Sequence, residues 1–160
     1  MKFVRIREKP SGQKWFIFHL GKQEVECLEA ALGFYPLLEI VYQPLSRGGS
    51  VGRDKQELLD DITRDRRTVR KKEILEFLSN PKTIRWDAPG TYRLALTMEQ
   101  TDWLLSVLNE IRVGCWSYLG CPELNKLNER EMDDEQCRER AIMDLCGYFE
   151  MGFLEAFKLA

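Results

Sequence analysis

Residues 15–20 read WFIFHL and residues 92–96 read YRLAL, and these two runs decide the fold. Each is preceded by a second β-rich run, FVRIR at 3–7 and TIRW at 83–86, and a turn containing Pro and Gly separates the runs of each pair. Two such runs around a turn are typical of a β-hairpin. The sequence therefore predicts two hairpins, and we expect them to share one sheet because an isolated hairpin is marginally stable.

An amphipathic helix is predicted directly after each hairpin. Gly21 and Thr97 stand at the N-cap positions, and Glu24 and Gln100 follow three residues later, where a capping-box side chain is expected. Apolar residues then recur at helical spacing along one face of each helix. They are Val25, Leu28, Ala31, Leu32 and Tyr35 in the first helix, and Leu104, Leu108, Ile111 and Cys115 in the second.

The two hairpin–helix segments can be overlaid as copies of one ββα unit. With a two-residue shift in the turn, the capping positions coincide and three leucines of the first segment fall on three leucines of the second. They are Leu20, Leu28 and Leu32, matched to Leu96, Leu104 and Leu108. This pattern favours an internal repeat. The alternative is two unrelated segments, whose strands would still share a sheet.

A helical connection is predicted between the units, from about Asp54 to Ser79, where Asn80-Pro81 ends it. Its apolar residues form two stripes on nearly opposite sides, at about 100° per residue. The first stripe is Leu58, Ile62 and Val69, and the second is Ile74, Leu75, Phe77 and Leu78. One straight helix cannot bury both stripes against a single core, so we expect a break or a kink near residues 70–72.

A final helix is predicted to run to about Lys158, after a charged stretch at 129–140. Its apolar stripe is wide because further apolar residues extend it around most of the circumference. The stripe is Leu145, Phe149, Gly152, Phe153 and Ala156, and the extension is Tyr148, Met151, Leu154 and Phe157. Such a helix is either central to the fold or shared with another chain. Phe153 is our candidate for a contact with another chain.

Together these elements predict an α+β protein with two β-hairpin–helix (ββα) units sharing a small antiparallel or mixed sheet, plus a helical insert and a long C-terminal helix. The 160 residues, 44% of them apolar, suit one domain with its own core. Its expected parts are a first ββα unit at 1–45, a loop and helical connection at 46–80, a second ββα unit at 81–120 and a C-terminal helix at 121–160.

Composition and charge exclude several classes of protein. The net charge of −2 creates no global field for nucleic acid or an acidic membrane, and no run approaches the roughly 20 apolar residues of a membrane span. Charged residues come too early at the N-terminus for a signal peptide. Five cysteines without a CxxC pair indicate free thiols. We therefore expect a cytoplasmic protein that does not bind membranes.

Motifs of catalysis and metal binding are weak. The single histidine, His19, alternates with apolar residues on a predicted strand, and no nucleophile motif accompanies it. Cys115 and Cys121 lack the partners of a zinc site, and nothing basic flanks Cys121 to activate its thiol. The glycine-rich residues 47–53 lack the GK[ST] ending of a phosphate loop. No catalytic, cofactor-binding or metal-binding residue is assigned, and no cofactor is expected.

The densest charge lies in residues 64–72, which read RDRRTVRKK. On a helix its cations spread across one broad face that would suit phosphate contacts. The candidate interaction residues are Arg64, Arg66, Arg67, Arg70 and Lys71. Pairing with the acidic residues at 129–135 would explain both charged runs without any ligand, and no aromatic residues interleave for base stacking.

A second candidate surface lies on the helix after the second hairpin. Asp102, Asn109, Arg112 and Trp116 fall along one flank of it, off the apolar stripe. Such a strip could recognise a peptide or a small anion, and a solvated helix edge is the alternative.

The last third of the chain carries the patterns LxxLNxxRxxxxxxLG at 105–120 and YxxxxFLE at 148–155. These patterns resemble helices of a bacterial family of unknown function, whose actinobacterial members tend to be encoded near the adaptor of the Clp protease. The resemblance implies a small, non-enzymatic accessory protein, and it brings no catalytic residue.

The sequence thus favours a binding or accessory protein that acts through protein–protein contacts, with a homodimer expected from the wide apolar C-terminal helix. The alternative is a nucleic-acid-binding protein that uses residues 64–72. A second alternative is an enzyme of unidentified class that would use Cys121 or His19.

Overall fold

The structure is a computed structural model and describes residues 1–8, 12–35, 53–122 and 132–159, with side chains in the long connecting helix described from residue 64 onward. The predicted turn at 9–11, the glycine-rich residues 47–52, the side chains of Leu58 and Ile62 and the acidic residues at 129–131 lie outside the described parts.

The chain forms four strands and four helices in the described residues. They are β1 (Lys2–Glu8), β2 (Lys14–Gly21), α1 (Lys22–Gly33), α2 (Arg53–Ser79), β3 (Ile84–Ala88), β4 (Thr91–Thr97), α3 (Met98–Tyr118) and α4 (Asp134–Lys158). The predicted α+β class is confirmed, with a hairpin and a helix in each unit and a long C-terminal helix.

The four strands form one antiparallel sheet in the order β1-β2-β4-β3. The two hairpins meet through β2 and β4, where Phe18 lies opposite Leu94. The register is continuous in this central pair, whereas the edge strands shift between Phe3 and Arg5 and between Trp86 and Ala88. The two ββα units therefore share one sheet, and its antiparallel form is the one observed.

Side-chain caps fix where the helices begin. Oγ1 of Thr97 accepts a hydrogen bond from the backbone N–H of Gln100 at 3.1 Å, and Oε1 of Gln100 accepts one from the N–H of Thr97 at 3.0 Å. At α1 the Glu24 carboxylate accepts from the Gly21 N–H at 2.8 Å. Each bond satisfies a backbone donor that the helix leaves unpaired. Both predicted caps are confirmed.

The core lies between the sheet and the helices. Phe16, Phe18 and Leu20 of β2 and Leu94 and Leu96 of β4 are fully or almost fully buried there. Two rings of α4 pack on two rings of β2: Phe153 lies edge-on to Phe18 at 5.0 Å, and Phe157 lies 5.2 Å from Phe16 between ring centroids. The apolar faces of both hairpins and of their helices thus meet in one interior.

A break near residues 70–72 does not occur, because α2 is one uninterrupted helix from Arg53 to Ser79. Ile74 and Phe77 are buried, and the Phe77 ring packs 5.2 Å from that of Trp103 on α3. Val69 is 59% exposed and Leu75 is 57% exposed, so the helix leaves these two apolar side chains in water.

Among the described residues, no helix is both long enough and apolar enough to cross a membrane.

Candidate functional site

Helices α3 and α4 pack against each other, and an open groove of about 420 Å³ lies between them at the surface. We call it the α3–α4 groove. Its lining includes Arg112 and Trp116 from α3 and Tyr148, Glu150, Met151 and Leu154 from α4.

An ion pair lies at the polar centre of the α3–α4 groove. Nη1 of Arg112 donates a hydrogen bond to Oε2 of Glu150 at 2.7 Å. The Glu150 side chain is 10% exposed and that of Arg112 is 44% exposed. The buried Oε1 of Glu150 has no hydrogen-bond partner among the described residues. Leaving a buried acceptor unpaired costs about 1–3 kcal/mol, so Glu150 depends on the cation of Arg112 to offset its burial.

Large apolar side chains surround this ion pair. Met151 is 64% exposed and Leu154 is 50% exposed, and Tyr148 and Trp116 are exposed as well. The indole N–H of Trp116 donates to the backbone oxygen of Pro122 at 3.0 Å, which holds the ring in place. The Tyr148 hydroxyl contacts the Glu24 carboxylate and the N-terminal amino group. The groove therefore combines an apolar rim with a charged floor.

Two of the four residues predicted to form a surface on the flank of α3 lie in the groove, and the other two do not. Arg112 and Trp116 come together in the α3–α4 groove, one turn apart on the helix. Asp102 and Asn109 are exposed on the same helix and are not part of the groove lining.

The assignment of Phe153 to an interaction surface needs correction. Its side chain is fully buried in the core against Phe18 and cannot reach another chain without unfolding α4. The apolar residues of α4 that face water in the groove are Tyr148, Met151 and Leu154. The sequence shows that this helix is apolar on most sides. It does not show which of these sides faces the sheet, because packing in the folded chain decides that.

Glu150 was not predicted from the sequence, although its spacing from apolar residues of the same helix indicates a buried position. Glu150 follows Met143 by seven residues and Cys146 by four, and it precedes Phe153 by three. These spacings place it on the buried side of the helix, where the structure finds all four residues. An acid in a core stripe needs a partner, and Arg112 is the one that α3 supplies.

The basic run at 64–72 lies on α2, and several of its cations are engaged within the chain, Arg70 most closely. Arg70 is mostly buried, and its Nη2 donates to Oε1 of Glu110 on α3 at 3.2 Å. Arg64, Arg66 and Lys71 are exposed, and Arg67 is half-buried. The described ion pairs of Arg70 are with Glu110 and Glu73, so its guanidinium has a structural partner without the acidic run at 129–135.

Burial shifts the titration of three side chains near this helical layer. The hydroxyl of Tyr35 donates to Oε2 of Glu110 at 2.9 Å, and burial together with this carboxylate raises the pKa of Tyr35 to about 12. Burial raises the pKa of the Cys146 thiol to about 12, helped by the charge of Glu150. Burial and the nearby Glu139 carboxylate likewise raise the pKa of the Cys115 thiol.

These shifts predict a loss of stability at alkaline pH. An unfolded thiol ionises near pH 9, whereas the folded Cys146 stays protonated up to about pH 12. The thiol therefore does not oppose folding below pH 9, and stability falls as the pH rises from 9 towards 12. The expected slope is about 1.4 kcal/mol per pH unit for each such thiol. Urea unfolding under reducing conditions at several pH values between about 8 and 11 measures it.

Cys146→Ala should flatten this alkaline slope, whatever it does to stability at neutral pH. Cys137→Ala is the matched control, because Cys137 is an exposed free thiol on the same helix. An unchanged slope in Cys146→Ala would contradict the assignment.

The residues considered for catalysis lie apart from the groove. Nε2 of His19 lies 3.4 Å from Oδ2 of Asp87, and both side chains are partly exposed on the sheet. Cys121 is exposed after α3, with a positive φ of 57°. In the described ranges, no group of three or more His, Cys, Asp or Glu side chains is arranged to hold a metal ion.

Comparisons with known proteins give no relative. The chain matches no protein-family model, no curated protein and no solved structure.

Proposed function

We propose that the protein is a non-enzymatic binding protein that acts through protein–protein contacts, and that a second copy of the chain binds at the α3–α4 groove. The observation that supports this most directly is the rim of exposed apolar side chains around the groove, of which Met151 is 64% exposed and Leu154 is 50% exposed. Exposed apolar side chains that lie together mark a surface that another protein can cover.

The groove is self-complementary in its apolar rim. A twofold dimer uses the same surface on both copies, so the surface must carry both halves of each contact. Trp116 lies on one side of the groove, and Met151 and Leu154 lie on the other, so apolar side chains of one copy can pack on apolar side chains of the second. In the proposed dimer the ion pair of Arg112 and Glu150 stays within each copy.

The residue types of the rim suit a protein interface. Trp, Tyr, Met and Arg are enriched at protein–protein contacts, and aromatic and Arg side chains dominate their energetics. Trp116, Tyr148 and Met151 are such residues, and with Leu154 they leave a large apolar area in water around the groove. Packing this area against a second copy would remove it from water at about 25 cal/mol per Å².

The oligomeric state tests the proposal. The wild-type chain is expected to sediment as a dimer at about 100 µM and to dissociate on dilution, in analytical ultracentrifugation. The double variant Met151→Glu plus Leu154→Glu should be monomeric at the same concentration, because it places four like charges in the contact. Circular dichroism should show an unchanged fold, since both side chains are exposed in the single chain.

Val69→Glu plus Leu75→Glu is the matched control. These two apolar residues lie on α2 with 59% and 57% exposure, close to the values for Met151 and Leu154, and they lie outside the groove. This variant should remain a dimer. A monomeric wild type at about 100 µM, or a control that dissociates as readily as the groove variant, would overturn the proposal.

Other sequence-based expectations keep the status of predictions. The internal repeat is one of them, and the N-caps of the two helices differ, because Thr97 caps α3 with its hydroxyl and Gly21 has no side chain. The resemblance to the bacterial family of unknown function is another. The alternative use of residues 64–72 for nucleic acid is weakened at Arg70, whose guanidinium is held by Glu110.

A further inference from the structure

Two glycines lie within the long helix α4, and contacts inside the chain account for one of them. A Cβ atom at Gly152 would collide with Cε of Met1, so the methionine side chain fills the space that this glycine leaves. A Cβ atom at Gly147 would meet Cζ and Nε of Arg112 at 3.9 Å, which is an ordinary van der Waals distance. Among the described residues, nothing therefore prevents an alanine at position 147.

Glycine at position 147 lowers the stability of the single chain. Gly147 lies near the middle of α4, and its φ is not positive, so the backbone does not require a glycine there. In the interior of a helix, glycine lowers the equilibrium constant for folding roughly fivefold relative to alanine, because it loses more conformational freedom on folding. The contacts described within the chain do not explain why this position carries a glycine.

The position of Gly147 in the α3–α4 groove offers an explanation. Gly147 is half-buried and belongs to the lining of the groove. Met151 follows it by one helical turn and Leu154 by two turns, so the three residues lie along one face of α4. A glycine lets another molecule approach the helix backbone closely. Gly147 thus forms a recess in a surface whose rim is apolar.

We infer that the recess at Gly147 receives the Met151 side chain of a second copy of the chain. This inference rests on the proposed dimer and specifies how the two copies meet. In a twofold dimer, a contact from one residue to another is matched by the reciprocal contact. Positions 147 and 151 are equally distant from position 149. If the two α4 helices cross in antiparallel directions level with position 149, Met151 of each copy lies over Gly147 of the other.

The residue types at this crossing suit close packing. Packed helices lie about 8–10 Å apart, and the side chains at the point of contact set the distance. Glycine at that point allows a short distance. Methionine is unbranched and flexible, so it can fill an irregular recess. Met151 is 64% exposed in the single chain and is free to do so.

The apolar surface around the recess has the size that a dimer needs. Trp116, Tyr148, Met151 and Leu154 are 38–64% exposed, which leaves roughly 400 Å² of mostly apolar surface on each copy, given that an aromatic side chain covers about 150–250 Å². A stable interface covers about 800 Å² per partner, of which somewhat more than half is apolar. The four side chains therefore supply most of the apolar part of such an interface.

Gly147→Ala tests the inference, because the added methyl group fits the single chain and fills the recess. At about 1 µM protein, where the proposed dimer is dissociated, urea unfolding should show an equilibrium constant for folding that is roughly fivefold higher. In analytical ultracentrifugation the Kd of the dimer should rise about 10-fold or more, because the dimer contains the overpacked contact twice.

Two variants serve as controls. Gly33→Ala is the matched glycine substitution, since Gly33 is exposed at the end of α1, has open space around a Cβ atom and lies outside the groove lining. It should leave the dimer Kd within about twofold of wild type. Gly147→Ala plus Met151→Ala should bind no more weakly than Met151→Ala alone, because the shorter side chain leaves room for the methyl group.

The results separate failure of the recess from failure of the dimer. An unchanged dimer Kd in Gly147→Ala would overturn the recess and leave the dimer in place, and so would an equal rise of the Kd in Gly33→Ala. A lower folding constant in Gly147→Ala would show that the chain itself needs this glycine. Additive losses in the double variant would show that Met151 does not fill the recess. A wild-type chain that is monomeric at about 100 µM would overturn both proposals.

Discussion

Replacement of Phe153 by alanine is expected to lower the free energy of unfolding by about 4 kcal/mol, because it empties a fully buried site. The ring lies edge-on to Phe18 at 5.0 Å, in the layer where α4 packs on the sheet. Its loss removes buried apolar area, an aromatic pair and close packing at once. Urea unfolding followed by circular dichroism measures the change.

Leu154→Ala is the matched control for this prediction, since Leu154 is the next residue on α4 and is half exposed. It should change the stability of the single chain by less than about 1 kcal/mol. The loss in Phe153→Ala should be measured at about 1 µM protein, where the proposed dimer is dissociated and unfolding of the monomer is observed. A loss below about 1.5 kcal/mol would contradict the placement of Phe153 in the core.

Arg112→Met is expected to cause the second large loss, about 2–3 kcal/mol. It leaves the Glu150 carboxylate buried without the cation that lies 2.7 Å from it. Breaking a fully buried pair costs about 3–5 kcal/mol, and the effect here is smaller because Arg112 is 44% exposed. Chemical unfolding of the variant at neutral pH and moderate salt gives the value.

A double-mutant cycle separates this ion pair from simple packing. Adding Glu150→Gln to Arg112→Met should restore part of the loss, because a neutral amide is less costly to bury than an unpaired carboxylate. Arg140→Met is the surface control: its partner Asp144 is exposed, and the loss should stay below about 1 kcal/mol. Strictly additive losses at Arg112 and Glu150 would show that the two side chains do not act as a pair.

The strands and the core could be predicted directly from the sequence. Apolar residues that alternate along a strand, or that recur at helical spacing, indicate which side of the element is buried. Phe16, Phe18 and Leu20 alternate, and the sheet buries these three on one side. The caps at Gly21 and Thr97 are equally local signals, and both form. Such features depend on residues at most four positions apart, which a sequence displays.

The candidate surfaces depend on contacts that a single sequence does not display. The groove requires Arg112 of α3 to meet Glu150 of α4, 38 residues later. The contact between the two hairpins requires the register between β2 and β4, which places His19 opposite Arg93. A shift of one residue in that register would reverse the face that each side chain occupies, so these neighbours could not be named before the strands were paired.

The irregular register of both edge strands has a consequence for assembly. A regular, flat edge offers a row of free backbone groups on which a strand from another molecule can form, and this addition leads to fibrils. In β1 and β3 the pairing is interrupted, whereas the continuous pairing lies between β2 and β4 in the protected interior of the sheet. Interrupted edges twist away from such growth, so we expect concentrated solutions of the folded chain to resist fibril formation.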